Sequence, residues 1–198
     1  MKFTAVAFDL DGTLYHNSRL FVRLVPFLLK EHRLLRAMGK ARKLMRQGVS
    51  ADSPGDFYDR QALIMGELLG IPKEQARDRT DKFIYRGWEP LFEKVRLFPH
   101  VRETLETFRK AGIKLGLLSD FPPETKLKNL KISECWDTFL SSEETGHLKP
   151  HSAPFMELAR RMEAAPEEML YVGNSIPYDV VGAHNAGMKA AQIGRAHV

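Results

Sequence analysis

Asp9 and Asp11 stand two residues apart in the run Phe8-Asp9-Leu10-Asp11-Gly12-Thr13-Leu14. With a reference pKa of about 3.9, both carboxyls offer ionised oxygens at neutral pH and need no base to activate them. The apolar stretch before them, Phe3 to Phe8, reads as a buried strand, and Gly12-Thr13 ends the extended pattern. The pair therefore falls at the C-terminal end of a strand, where open α/β sheets place their ligands. Side chains alternate along a regular strand, so both serve one site only where the backbone turns.

Other polar groups follow the same layout. Ile113–Leu118 reads as a strand ending in Ser119-Asp120, Met169–Val172 as one ending in Gly173-Asn174-Ser175, and Ala190–Ile193 as a last short strand. Helical patterns lie between them. Val101–Ala111 is closed by Gly112, and Ala153–Met162 carries Phe155, Leu158, Ala159 and Met162 on one face. This alternation predicts an α/β fold with a doubly wound parallel sheet. Residues 16–96 break it with four helices, about Arg19–Glu31, Leu34–Gln47, Phe57–Leu69 and Lys73–Arg86, with Ser53-Pro54 as a helix start. The expected organisation is a core of residues 1–15 and 97–198 with an inserted α-helical domain, 16–96.

Four strand ends then offer one rim Asp9 and Asp11, Ser119, Lys149 of Gly146-His147-Leu148-Lys149-Pro150, and Asn174 with Asp179. Taken singly, each has a plain explanation: a helix cap for Ser119, a solvated loop for Lys149, a left-handed turn for Asn174. Their order is what points to a site.

In that order the chain resembles the haloacid dehalogenase-like hydrolases, mostly magnesium-dependent phosphatases. The likeness rests on Phe8-Asp9-Leu10-Asp11-Gly12-Thr13, Leu118-Ser119-Asp120, Lys149-Pro150 and Val172-Gly173-Asn174-Ser175 followed by Asp179. The insertion falls where that family carries its C1-type cap, over a Rossmann-like core. The resemblance implies hydrolysis of a small phosphate monoester through an aspartyl-phosphate. Asp9 would be the nucleophile and Asp11 the general acid and base. Lys149 would neutralise charge, and Ser119 and amides near Asp11 and Gly12 would bind phosphoryl oxygens. Mg²⁺ would be held by Asp9, the Asp11 carbonyl, and Asn174 or Asp179. Two unit charges about 4 Å apart repel by about 4 kcal/mol at an effective dielectric of 20, so an anionic nucleophile needs those cations. Gly12, Thr13, Asp120 and Tyr15 complete the expected substrate contacts, Tyr15 as the aromatic nearest the leaving group, with His16 beside it. The dehalogenase branch lacks the second aspartate, which favours phosphoryl transfer.

One departure is Asn174, where the family commonly has Asp. An amide oxygen brings no charge, so metal affinity falls unless Asp179 or its neighbours compensate, and Asp179 has the alternative of orienting Lys149. Two other readings remain: a phosphomutase or phosphotransferase of the same superfamily, and a non-catalytic binding protein on the same fold.

Composition narrows the partners. The 198 residues carry a net charge of +5 and 43% hydrophobic residues, with no run near the ~20 apolar residues of a membrane span. The single cysteine, Cys135 beside Trp136, reads as a packed thiol, and a cytoplasmic protein is expected. Basic residues crowd the first insertion helices (Arg19, Arg23, Lys30, Arg33, Arg36, Lys40, Arg42, Lys43, Arg46) and read mainly as a solvated face. Leu20, Leu24, Phe27, Leu28, Leu34 and Leu35 read as cap core, while Phe57, Tyr58, Trp88 and Phe92 fit either cap core or a ligand wall. A small phosphorylated metabolite is the expected partner and a homodimer is left open. Nucleic acid and membrane are disfavoured.

Overall fold

The protein is described by a computed structural model covering residues 3–49, 55–93 and 95–194, with only the main chain of 17–30. Five parallel strands, β1 (Ala5–Phe8), β2 (Lys114–Ser119), β3 (Thr138–Ser141), β4 (Met169–Gly173) and β5 (Lys189–Gln192), form one sheet in the order β3-β2-β1-β4-β5. β1 is central and every one of its residues is buried, as a parallel strand covered on both faces requires. The chain winds outward from β1 through β2 to β3, then returns to the other side for β4 and β5. The crevice of such a switch lies at the carboxyl ends of β1 and β4, where Asp9 N–H donates to the Val172 carbonyl at 2.9 Å. The sequence pattern misses β3, which is only four residues long and half-buried at its start.

Helices α1 (Asn17–Arg46), α2 (Phe57–Leu69), α3 (Lys73–Thr80) and α4 (Glu89–Phe92) lie between β1 and β2, and α5 (Val101–Lys110), α6 (Glu124–Leu130), α7 (Ser152–Met162) and α8 (Val181–Asn185) flank the sheet. One apolar cluster packs Phe8, Leu105, Leu115, Leu117 and Trp136, with Cys135 buried among them. A second packs Phe155, Leu158, Ala159 and Met162 of α7 against Ala5, Ala7 and Tyr171. Gly112, at φ 73°, turns the chain out of α5 in the left-handed conformation that glycine adopts without strain.

The insertion has its own apolar cluster of Leu34, Ala37, Met38 and Ala41 from α1 with Ile64, Met65, Ala76 and Ile84. The two helices expected before Gln47 meet within the range given as α1 at a kink at Glu31, whose φ −116° and ψ 25° leave the helical region. The helix expected over Lys73–Arg86 changes after Thr80 into a π-helical turn, Asp81–Tyr85. Such turns are often found at functional sites. α2 is capped by Asp56, whose carboxylate accepts from Asp59 N–H at 2.7 Å; Ser53-Pro54 lies outside the described residues. So do the side chains of Arg19, Leu20, Arg23, Leu24, Phe27, Leu28 and Lys30. The chain leaves and rejoins the sheet-bearing part at adjoining points. Tyr15 and Leu97 bridge antiparallel, and Phe98 N–H donates to the Leu14 carbonyl at 2.9 Å. No described helix is long and apolar enough to cross a membrane.

Candidate active site

Beyond β1 the backbone turns at Gly12, whose φ of 91° suits glycine alone, and the N–H groups of Thr13 and Leu14 fold back onto the Leu10 carbonyl. That turn brings Asp9 and Asp11 to one side. Asp9, 5% exposed, accepts from Lys149 Nζ on Oδ1 and from Thr13 Oγ1 on Oδ2, each at 2.7 Å. Lys149 Nζ also lies 2.7 Å from Asp179 Oδ1 and 3.4 Å from the Tyr171 hydroxyl, which donates to the Leu118 carbonyl at 3.2 Å. Ser119, at the end of β2, accepts from Phe121 N–H at 3.2 Å and directs its hydroxyl towards Asp11 Oδ2 at 3.4 Å. Asn174 Nδ2 lies 3.4 Å from the Asp11 carbonyl oxygen. The expected rim is thus assembled from the first, second, third and fourth motifs.

Three expected substrate contacts are differently employed. Tyr15 is fully buried and its hydroxyl donates to Asp11 Oδ1, so it supports the carboxylate from behind and does not face the cleft. Its short bridge to Leu97 holds it there. Asp120 has both oxygens occupied. Oδ2 accepts from Arg46 at 2.5 Å, and Oδ1 accepts from Ser142 Oγ at 2.7 Å and Lys149 N–H at 3.2 Å. Thr13 holds Asp9. His16 is exposed and packs its ring on Phe98.

Asp179 sits in a π-helical turn, Ile176–Val180, with Oδ2 accepting from Ser175 N–H at 2.9 Å. Both of its oxygens are therefore satisfied within the protein, and one of them orients Lys149. Gly173 makes this possible, because a Cβ there would stand 2.5 Å from the Asp179 carboxylate. Gly173→Ala should displace Asp179 and with it Lys149. We expect a loss of about 1–3 kcal/mol in thermal or urea unfolding and at least tenfold lower phosphate release. A variant indistinguishable from the parent in both would deny Asp179 this part.

Lys126, in α6, went unnoticed in the sequence because a lysine in the middle of a polar helix carries no local signal. It is 6% exposed, and its Nζ lies 2.7 Å from both Asp11 oxygens. The Phe92 and Phe121 rings stand 5.0 and 5.5 Å from the same nitrogen. Three carboxylates thus meet two ammonium groups. Burial pushes Asp9 up to about 6, aided by Asp179 and Asp11 and opposed by Lys149. Burial also acts to raise Asp11, but Lys126 and the Tyr15 hydroxyl outweigh it and hold that carboxyl below its ordinary value. Burial acts to lower Lys149, yet Asp9, Tyr171 and Asp179 keep it well above the usual lysine value.

A cleft of ≈ 820 Å³ opens from Asp11 and Lys126 between the core and the insertion, walled by Tyr58, Tyr85, Trp88 and Phe92 on one side and Phe121 on the other. The insertion is clasped to the core beside it. Arg42, 4% exposed, meets Glu143 Oε1 at 2.5 Å and donates to the Asp120 carbonyl. Tyr85 and Tyr58 hydroxyls donate to Glu143 at 2.8 and 3.1 Å, and Arg46 Nε donates to the Lys149 carbonyl at 2.7 Å. Arg42 and Arg46 are therefore not part of a solvated face. The helix turns them towards the core, where the main-chain carbonyls of two site loops receive them.

Residues 3–187 match the haloacid dehalogenase-like hydrolase family, and the chain belongs to it. It is an enzyme of the hydrolase class. Among curated proteins it is similar to a glyceraldehyde 3-phosphate phosphatase of Methanothermobacter thermautotrophicus, 31% identical over 94% of this chain and 83% of that one. It is also similar to the pyrophosphatase PpaX of Bacillus thuringiensis, 29% identical over 100% of this chain and 88% of the relative. The crystal structure of a HAD phosphatase from Thermococcus onnurineus superposes with a TM-score of 0.63 at 25% identity, covering 100% of this chain and 88% of the other.

The family implies a divalent cation, and the donors present suit a hard one. The Asp9 carboxylate, the Asp11 carbonyl and the Asn174 amide are all oxygen sources once the amide is turned half a revolution. Among the described residues no three His, Cys, Asp or Glu side chains group as a metal site. Burial, with Asp179 and Asp11 adding to it, raises the Asp9 carboxyl against the pull of Lys149, and a cation held there would favour the ionised form.

Proposed function

We propose that this protein is a Mg²⁺-dependent phosphatase that hydrolyses a small phosphate monoester through an aspartyl-phosphate on Asp9. Residues 16–96 act as a cap over a core of 1–15 and 97–198. The observation that carries the reading is the placement of Asp9 between Lys149 and Thr13 at the tip of the central strand, with Asp11 beside it on the cleft wall. The substrates named for its two curated relatives, glyceraldehyde 3-phosphate and pyrophosphate, support a small phosphorylated substrate.

Mg²⁺, held by the Asp9 carboxylate, the Asp11 carbonyl and Asn174, would supply positive charge against the incoming phosphate. Asp9 attacks phosphorus in line: its oxygen bonds to phosphorus as the ester oxygen departs with the bonding pair. Lys149, fixed by Asp179, offsets the charge of nucleophile and phosphoryl group, and Ser119 donates to a phosphoryl oxygen. Asp11 passes a proton to the departing alkoxide. It then takes one from water, whose oxygen displaces Asp9 from phosphorus and releases inorganic phosphate. At rest Lys126 and Tyr15 donate to an ionised Asp11. The proton it gives the alkoxide is therefore taken up from a substrate monoanion or from solvent as these contacts are exchanged for substrate, and the attacking water returns it in the second step.

The test is turnover of p-nitrophenyl phosphate with Mg²⁺, compared with Asp11→Asn. This leaving group departs without acid help, so the variant should still be phosphorylated but should hydrolyse about 10²–10⁴-fold more slowly. Phosphoenzyme should then accumulate and be trapped by acid quench. Fast turnover in Asp11→Asn would remove that residue from the proposed role.

A further inference from the structure

We propose that Lys126 is a specificity residue that binds a second anionic group, a carboxylate or phosphate, on the leaving half of the substrate. This deepens the phosphatase reading and rests on it. Lys126 is a buried ammonium on the cleft wall, and its described contacts are Asp11 and two aromatic rings. Asp11 is committed elsewhere in the reaction, where its oxygens must turn to the ester oxygen and then to water. When they do, Lys126 is left without a carboxylate in a setting walled by Phe92 and Phe121, where an unpaired charge is costly. An anion delivered by the substrate restores the pairing. The other described cations on the cleft wall are already taken: Arg86 pairs with Asp81, and Arg77 with Asp56 and Asp59.

Distance limits the substrate. The ester oxygen would lie on Asp11, and Lys126 Nζ is one hydrogen-bond length from Asp11, at 2.7 Å. An anionic oxygen on Lys126 then stands roughly 3–8 Å from the ester oxygen, about one hydrogen-bond length when the path through Asp11 and Nζ folds back and three when it is stretched. A carboxylate or phosphate a few bonds from the ester meets this, and a long-tailed phosphate does not. The lysine stem, with four rotatable bonds, lets the ammonium swing from Asp11 to that group.

The experiment compares phosphate release from phosphoglycolate, whose leaving group carries a carboxylate, with release from glycerol 3-phosphate, whose leaving group is neutral. In Lys126→Met the ratio of kcat/KM for the two should fall about 30-fold, chiefly through KM for phosphoglycolate, as expected for a lost charge-assisted hydrogen bond. Lys126→Arg should keep the ratio within about threefold of the parent. Equal losses on both substrates would reduce Lys126 to a positioner of Asp11 and overturn the proposal, as would an unchanged ratio. A second arm reads binding without turnover: calorimetric titration of the two esters into Asp9→Asn and into Asp9→Asn/Lys126→Met. The lysine replacement should weaken phosphoglycolate binding at least tenfold more than glycerol 3-phosphate binding, and equal weakening overturns the proposal. An inactive parent that shows this difference would sink the phosphatase reading and leave the anion site standing.

Discussion

Asp9→Asn is expected to abolish phosphate release, by about 10⁴-fold or more, and at the same time to make the protein harder to unfold. The first half follows from removing the proposed nucleophile. The second follows from its environment. The Asp9 carboxyl is raised from 3.8 to about 6 by burial and by Asp179 and Asp11. Between those values the folded state holds the proton more tightly than the unfolded chain does. Stability from this group is therefore complete below pH 3.8, falls as pH rises through about 6, and stays lost above it. The ionised Asp9 carboxylate thus costs the fold about 3 kcal/mol at neutral pH. An amide does not ionise, although it gives up one of the two acceptors that Lys149 and Thr13 use. The net gain should be about 1–2 kcal/mol. Thermal melts in chelator at pH 8 and pH 4 check this: the variant should be a few degrees more stable at pH 8 and show no advantage at pH 4. An advantage of the opposite pH dependence would show that Asp9 carries no burial penalty.

The second large effect is expected at the clasp. In Glu143→Ala the Arg42 guanidinium stays buried without its carboxylate, and the Tyr58 and Tyr85 hydroxyls lose their acceptor. Breaking one side of a buried pair costs about 3–5 kcal/mol. Replacing both charges with apolar groups, Arg42→Met with Glu143→Leu, should recover most of that loss. Urea unfolding of the two single variants and the pair measures the coupling. If Glu143→Ala cost under 1 kcal/mol, the clasp would be a solvated contact with little hold on the insertion.

The candidate rim was legible at Asp9, Asp11 and Ser119 because a strand end with a turn signal after it carries each, and at Lys149, in the loop before α7, through the Lys149-Pro150 pair. Asp9, Asp11, Ser119 and Lys149 lie within hydrogen-bond reach of one another or of shared partners. Lys126, Tyr171, Arg42 and Glu143 gave no such signal. Each earns its place through a contact more than 20 residues away in sequence, and composition or periodicity holds no trace of that. Tyr15 shows the opposite error. Proximity to the first motif suggested the substrate, yet the bridge to Leu97 turns its ring into the interior. The division of the first helical run into two at Glu31 matches the kink there. β3 was missed because four residues of an outer strand are too few for a pattern.

The bridge of Tyr15 with Leu97, backed by the hydrogen bond from Phe98 to Leu14, makes the two crossings a single narrow doorway. A short turn joining them would complete the sheet-bearing part without stretching any strand. Whatever is threaded through that doorway can be lengthened, shortened or exchanged while the chemistry at the tip of β1 keeps its address. The insertion's share of the cleft wall is thereby separable from the strand tips, whereas Lys126 of α6 stays with the sheet whatever is exchanged.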